Sequence, residues 1–180
     1  MFMSYENKFG EKVIVSQSDY TLDSVDTISY DEITKVINPF DLNITRNNPY
    51  LDDEKNKSCF LNIKTVDENI LVIFKTDYIP DFISYYESDY DYINDEYPNL
   101  FEMGVLNFDL VNDDNQLVLM YGTSIIILDF DTFEVLKYTS SDKIKNFGIK
   151  LSCKGNGYIV EDDEHNFIYF DKNLNVINDK

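Results

Sequence analysis

"LVLMYGTSIIILDFDTFEVLKY" (residues 117–138) decides how this chain folds. It reads as an apolar strand, a tight turn, and a second apolar strand that ends at Asp129. A two-residue turn at Asp131–Thr132 follows, then a third strand with Val135 at its centre. The residues between the strands are those that tolerate the positive φ angles of hairpin turns. The same plan returns in "GYIVEDDEHNFIYFDKNLNVIN" (157–178). A unit used twice at a fixed spacing is an internal repeat, and it sets the architecture before any single residue does.

Working outward, strands are expected at 104–111, 116–122, 124–130, 133–139, 146–152, 157–163, 167–171 and 174–178. The connectors "NDDN", "DT", "KGN", "EHN" and "KN" are too short for anything but antiparallel neighbours. Upstream, "EKVIVSQ" (11–17) reads as a strand. "CFLNIKTVDENILVIFKT" (59–76) reads as a hairpin turning at Asp67–Asn69. "SYDEITKVINP" (29–39) carries helix signals: Ser29 as N-cap, Glu32 as its capping-box partner, and Pro39 as the stop. The polar stretch 38–58 reads as a loop. Pro80 and Asp81 open a second helix over 80–96. In it Phe82, Ile83, Tyr86, Tyr90, Ile93 and Tyr97 share an arc of roughly 100°.

The expected fold is one mainly β (α+β) domain over 1–180. It has an irregular N-terminal part with a short helix (1–58), a hairpin (59–76), an amphipathic helix (80–96) and an antiparallel meander (104–178). One or two helices cover the sheets. The repeat "IIILDFDTFEVL" (125–136) and "FIYFDKNLNVI" (167–177) resembles the blade of a β-propeller. The resemblance spans about two blades and implies a small propeller-like arrangement; the favoured reading is an antiparallel meander, with two packed sheets as one form of it. A closed ring needs at least about four blades. It implies no particular activity, because propellers host many.

Composition sets the class. A chain of this length hides roughly 70% of its unfolded surface, and 43% apolar content suits a real core. No apolar run approaches the roughly 18 residues of a membrane span. The start, "MFMSYENKFGEKVIV", lacks the basic and apolar regions of a signal peptide. Cys59 and Cys153 are too few for a disulfide framework or zinc site, and read as small buried apolar residues. The expectation is a cytoplasmic protein. The absence of Ala and the single Arg, Arg46, beside abundant Lys, Asn and Ile fit AT-rich coding, which points to a bacterium or phage.

Charge is the strongest signal. Thirty-four carboxylates face fifteen bases, for a net −19. From Thr76 to Leu136 there are 14 carboxylates and no Lys or Arg. Like charges repel within a compact state, so an imbalance of this size calls for solubility or a basic partner. It argues against direct binding of nucleic acid or anionic membranes.

No catalytic set stands out. His165, the only histidine, lies in the turn "EDDEHNF", where neighbouring acids seldom converge on one point. Carboxylate pairs are inevitable among 34 acids. "DYDYINDEY" (89–97) and "VNDDNQ" (111–116) are oxygen-rich but lack the glycine and glutamate of a calcium loop. The glycines form no phosphate-cradling loop. No catalytic residue, metal or cofactor is assigned.

"ISYYESDYDYINDEYPN" (83–99) is the densest functional stretch, with five tyrosines and five carboxylates between Tyr85 and Tyr97. On the expected helix Glu87, Asp91 and Asp95 form a solvent-side ridge. Tyr85 and Tyr92 also project away from the apolar arc, and Glu96 adjoins the ridge. Tyrosines supply rigid contact area and carboxylates pair with Arg and Lys. Tyr85, Glu87, Asp91, Tyr92, Asp95 and Glu96 are therefore the first candidate partner-binding surface, and Asp162, Asp163 and Glu164 the second. In general character the chain is similar to bacterial immunity proteins. That implies a non-enzymatic inhibitor of a basic toxin such as a nuclease. A phage-type nucleic-acid mimic that blocks a DNA-binding enzyme, and a propeller-like scaffold whose acidity serves solubility, are the alternatives.

Overall fold

The computed structural model describes residues 2–17, 33–42, 58–75, 115–145 and 148–177. These form three sheets and no helix. The first holds β1 (Phe2–Glu6), β2 (Lys12–Gln17), β3 (Lys35–Ile37), β4 (Ser58–Lys64) and β5 (Asn69–Lys75), in the order β1-β2-β4-β5-β3. The second is the meander β6 (Gln116–Tyr121), β7 (Ser124–Asp129) and β8 (Val135–Ser140). The third is the meander β9 (Gly148–Lys154), β10 (Gly157–Asp162), β11 (Phe167–Asp171) and β12 (Val176–Ile177). All pairings are antiparallel except β3 with β5. Among the described residues the three sheets stack without closing into a ring.

The β6–β7 hairpin of the middle sheet is dry on both faces, whereas the edge strand β8 leaves Val135, Leu136 and Tyr138 exposed. Side chains alternate along a strand, so β6 sends Leu117, Leu119 and Tyr121 one way and Val118 and Met120 the other. On β7, Ile126 and Leu128 alternate in the same way with Ile125 and Ile127. The first set packs with Val15, Ile63, Val72 and Phe74 of the first sheet. The second set packs with Leu151, Val160, Ile168 and Phe170 of the third. Full burial of each such side chain stabilises by about 1.5–3 kcal/mol. "LVLM" and "IIIL" are continuous apolar runs because neither face of this hairpin meets water.

The β6–β7 turn ties the three sheets together. Gly122 sits at φ 63°, a left-handed conformation that glycine adopts without steric cost. Thr123 and Ser124 are buried, so their polar atoms need protein partners. The Lys75 carbonyl at the end of β5 accepts from Ser124 Oγ at 2.7 Å and from Thr123 Oγ1 at 3.3 Å. The Gly122 carbonyl accepts from Gly148 N at the start of β9 at 2.8 Å, and the Thr123 carbonyl accepts from Ser141 N after β8 at 3.0 Å. At the opposite end, Tyr5 Oη donates to the Phe130 carbonyl at 2.9 Å. Lys8 also pairs with Asp131 at 3.4 Å, docking the β1–β2 turn on the β7–β8 turn.

Two expectations change. Residues 35–37, expected as the end of a helix over 29–39, are a strand. Thr34 N donates to the Asn69 carbonyl at 2.9 Å and Thr34 Oγ1 accepts from Asn69 N at 2.8 Å. This clamp sets β3 parallel to β5 and buries Ile37, so tertiary pairing overrides the local capping signal. Residues 2–6, read as irregular, form β1. The helix expected over 80–96, the strand over 104–111 and most of the loop over 38–58 lie outside the described residues.

Two-sided burial predicts that neighbouring positions on β7 are equally intolerant. Ile125→Ala and Ile126→Ala should each cost about 2–5 kcal/mol in urea-denaturation free energy. In a sheet with one wet face, only one of the pair would.

Candidate functional site

Three carboxylates of the sheet stack, Asp129, Asp162 and Asp171, and the Asn7 amide build turns. In the β10–β11 turn, Asp162 Oδ1 accepts from Glu164 N at 3.0 Å and from Asn166 N at 2.8 Å. In the β11–β12 turn, Asp171 Oδ1 accepts from Asn173 N at 2.8 Å and Asn175 N at 2.9 Å. In the β1–β2 turn, Asn7 Oδ1 accepts from Phe9 N at 3.0 Å and Glu11 N at 2.9 Å. Each turn places its fourth residue at positive φ: 77° at Gly10, 62° at His165 and 63° at Leu174. The side chain thus mimics a backbone turn, and the left-handed residue re-enters the ladder as a bulge. The β7–β8 turn is one residue longer. Asp129 Oδ1 accepts from Thr132 N at 2.8 Å and Asp131 N at 3.0 Å. Phe133 and Leu174, bulky residues in a left-handed conformation, plug the two cores.

These roles redistribute the second candidate surface. Asp162 is fully buried. Its Oδ2 accepts from Lys145 N at 3.1 Å, so its carboxylate cannot face a partner. Asp163 is half-buried and Glu164 is exposed. His165 is exposed, with Nδ1 2.8 Å from Glu161 Oε1. Cys153, expected buried, carries an exposed thiol. The first candidate surface, Tyr85, Glu87, Asp91, Tyr92, Asp95 and Glu96, lies outside the described residues.

The electrostatics of the turns follow from their hydrogen bonds. Burial pushes the Asp162 carboxyl up, but the bonds from Asn166, Lys145 and Glu164 together hold it below the usual carboxylate range. Backbone bonds from Thr132 and Asp131 lower Asp129, and bonds from Asn175 lower Asp171. Burial, then the charges of Asp131 and Asp129, push the Tyr5 phenol up and keep it a donor.

The outer face of the third sheet is of a different character. Lys150, Ser152, Ile159, Glu161, Phe167 and Tyr169 line a shallow hollow of about 240 Å³. Lys154 Nζ lies 5.8 Å from the Tyr169 ring centre, a cation–π distance. Phe167 is 59% exposed. Charge divides along the chain accordingly. Residues 137–180 hold seven lysines and seven carboxylates, so residues 1–136 carry the whole net −19.

Comparison with protein-family models, with curated proteins and with solved structures finds no match to this chain. Among the described residues, no helix is long and apolar enough to cross a membrane, and no three His, Cys, Asp or Glu side chains gather as metal ligands.

The turn chemistry was missed in the sequence because Asp and Asn were read as surface acids and generic turn formers. The usable signal was spacing: "NKFGE", "DDEHN" and "DKNLN" share a leading Asn or Asp and a polar fifth residue.

Asp162→Ala should cost about 1–3 kcal/mol, because buried backbone N–H groups lose their acceptor. The lowered carboxyls also set a pH dependence. Each contributes stability that is fully present above its unfolded value near ~4 and is lost as pH falls through the lower folded value. Urea midpoints should therefore fall steadily below about pH 4, and Asp162→Ala should flatten part of that decline.

Proposed function

We propose that the chain is a non-enzymatic acidic inhibitor that binds and neutralises a basic protein, in the manner of an immunity protein against a toxin such as a nuclease. The observation that carries this reading is the confinement of the whole −19 to residues 1–136, with the base-free span 76–136 inside it. A uniform solubility charge would also extend over 137–180. Within the described sheet stack, turn-building engages Asp129, Asp162 and Asp171. Self-repulsion makes such a surplus costly to a compact state. It is repaid when a cationic surface such as a nuclease cleft docks on it. The tyrosines of 83–99 add hot-spot contact area. A cytoplasmic location belongs to this proposal.

A second reading has one observation in its favour. The second and third sheets are meanders that stack face to face in chain order, as blades of a propeller do, which supports a propeller-like scaffold.

Pull-down from the native host at about 50 mM and about 500 mM salt, read by mass spectrometry, separates the readings. Inhibition predicts one basic protein retained at low salt and weakened at high salt. Charge reversal of Glu87, Asp91 and Asp95 to Lys should lower its affinity at least about tenfold, roughly 1.4 kcal/mol. A partner that ignores both salt and these substitutions leaves the scaffold reading. A partner displaced by duplex DNA identifies nucleic-acid mimicry.

A further inference from the structure

The third sheet lies in the charge-balanced segment 137–180 and carries an outer face suited to a partner other than a basic one. β9 and β10 place Lys150 directly opposite Glu161, the ordinary arrangement for a cross-strand ion pair. Glu161 instead meets His165 at 2.8 Å. Among the described residues the only Lys–carboxylate ion pair is Lys8–Asp131, so the Lys150 ammonium has no carboxylate of its own. Beside it lie the hollow of about 240 Å³ and the exposed Phe167 on its rim. Small-molecule sites span about 300–1,000 Å³. This hollow is smaller, open and rimmed by an aromatic knob, which suits a protein side chain better than a cofactor.

The matching partner must offer a carboxylate to Lys150 and an apolar knob to the hollow. The same face offers both, as Glu161 and Phe167. The geometry points to an isologous dimer in which two copies of this chain meet through the outer faces of their β9–β12 sheets. Lys150 of each copy meets Glu161 of the other, and each Phe167 enters the other's hollow. A two-fold axis makes one unmatched pair into two matched ones. Charge selects this face as well. Two −19 chains repel each other, and only a locally balanced region such as 137–180, with seven lysines and seven carboxylates, brings no added repulsion.

Salt then acts in the opposite sense to inhibitor binding. Screening relieves the repulsion between the two acidic chains, so it strengthens this dimer while weakening capture of a basic partner. The two surfaces therefore stand or fall separately.

The test is sedimentation velocity on the full chain over about 1–200 μM, at about 50 and about 500 mM salt. The expected result is a monomer–dimer equilibrium that shifts to dimer with salt. Phe167→Glu and Lys150→Glu should each weaken it at least about tenfold, with unchanged circular dichroism and urea midpoint. Lys150→Glu mixed with Glu161→Lys should restore the association that each variant lacks alone, since both cross-copy pairs are then of opposite charge. A chain monomeric at every concentration and salt overturns the proposal. So does a dimer indifferent to Phe167→Glu, or a mixture that fails to recover.

Discussion

A strand pair with two apolar faces has no orientation in which it can meet water, and the rest of this fold follows from that constraint. β6 and β7 present Leu117, Leu119, Ile126 and Leu128 on one side and Val118, Met120, Ile125 and Ile127 on the other, all fully buried. One neighbouring sheet cannot satisfy both. The first sheet must lie on one face and the third on the other, so three layers are the minimum. The polar groups at the edge of that sandwich are then buried too. Thr123 and Ser124 therefore bond to the Lys75 carbonyl instead of to solvent.

Burial of the middle layer also explains where the acids go. Carboxylates cannot enter the layer faces, so within the stack they collect at strand ends. There Asp129, Asp162 and Asp171 replace backbone acceptors in the turns. Binding surfaces must be built from acids the turns do not engage. Beyond residue 137, Glu161, Asp162 and Asp171 are engaged in or beside turns. Lys137 on β8 also donates to the Lys172 carbonyl of the β11–β12 turn at 2.8 Å, tying the second and third sheets.

Much of the β architecture is legible in the sequence. The strands between 116 and 177, and the hairpin ending at Lys75, declare themselves through apolar runs bounded by Gly, Asn and Asp. Two-sided burial is legible in principle, since "IIIL" does not alternate. β1 and β3 are not. "FMSYE" has no strong periodicity and becomes a strand by pairing with β2, while "KVI" sits behind a helix-capping signal and becomes a strand by pairing with the distant β5. The role of Asp162 is hidden for a similar reason. An acid in "EDDEHN" reads as solvated until the fold brings Lys145 N to its second oxygen.

The pairing of Tyr5 with Phe130 joins residues 125 positions apart, and this bears on how the chain is made. The first sheet's inner face is covered by β6 and β7, so its hairpins leave the ribosome with that face bare. They stay incomplete until roughly the last quarter of synthesis. Closing a loop of that length adds entropy slowly with size, yet the contact order it imposes slows folding strongly. The nascent chain thus passes through a stage with an exposed apolar sheet, during which mutual repulsion between acidic chains keeps neighbours on a polysome apart.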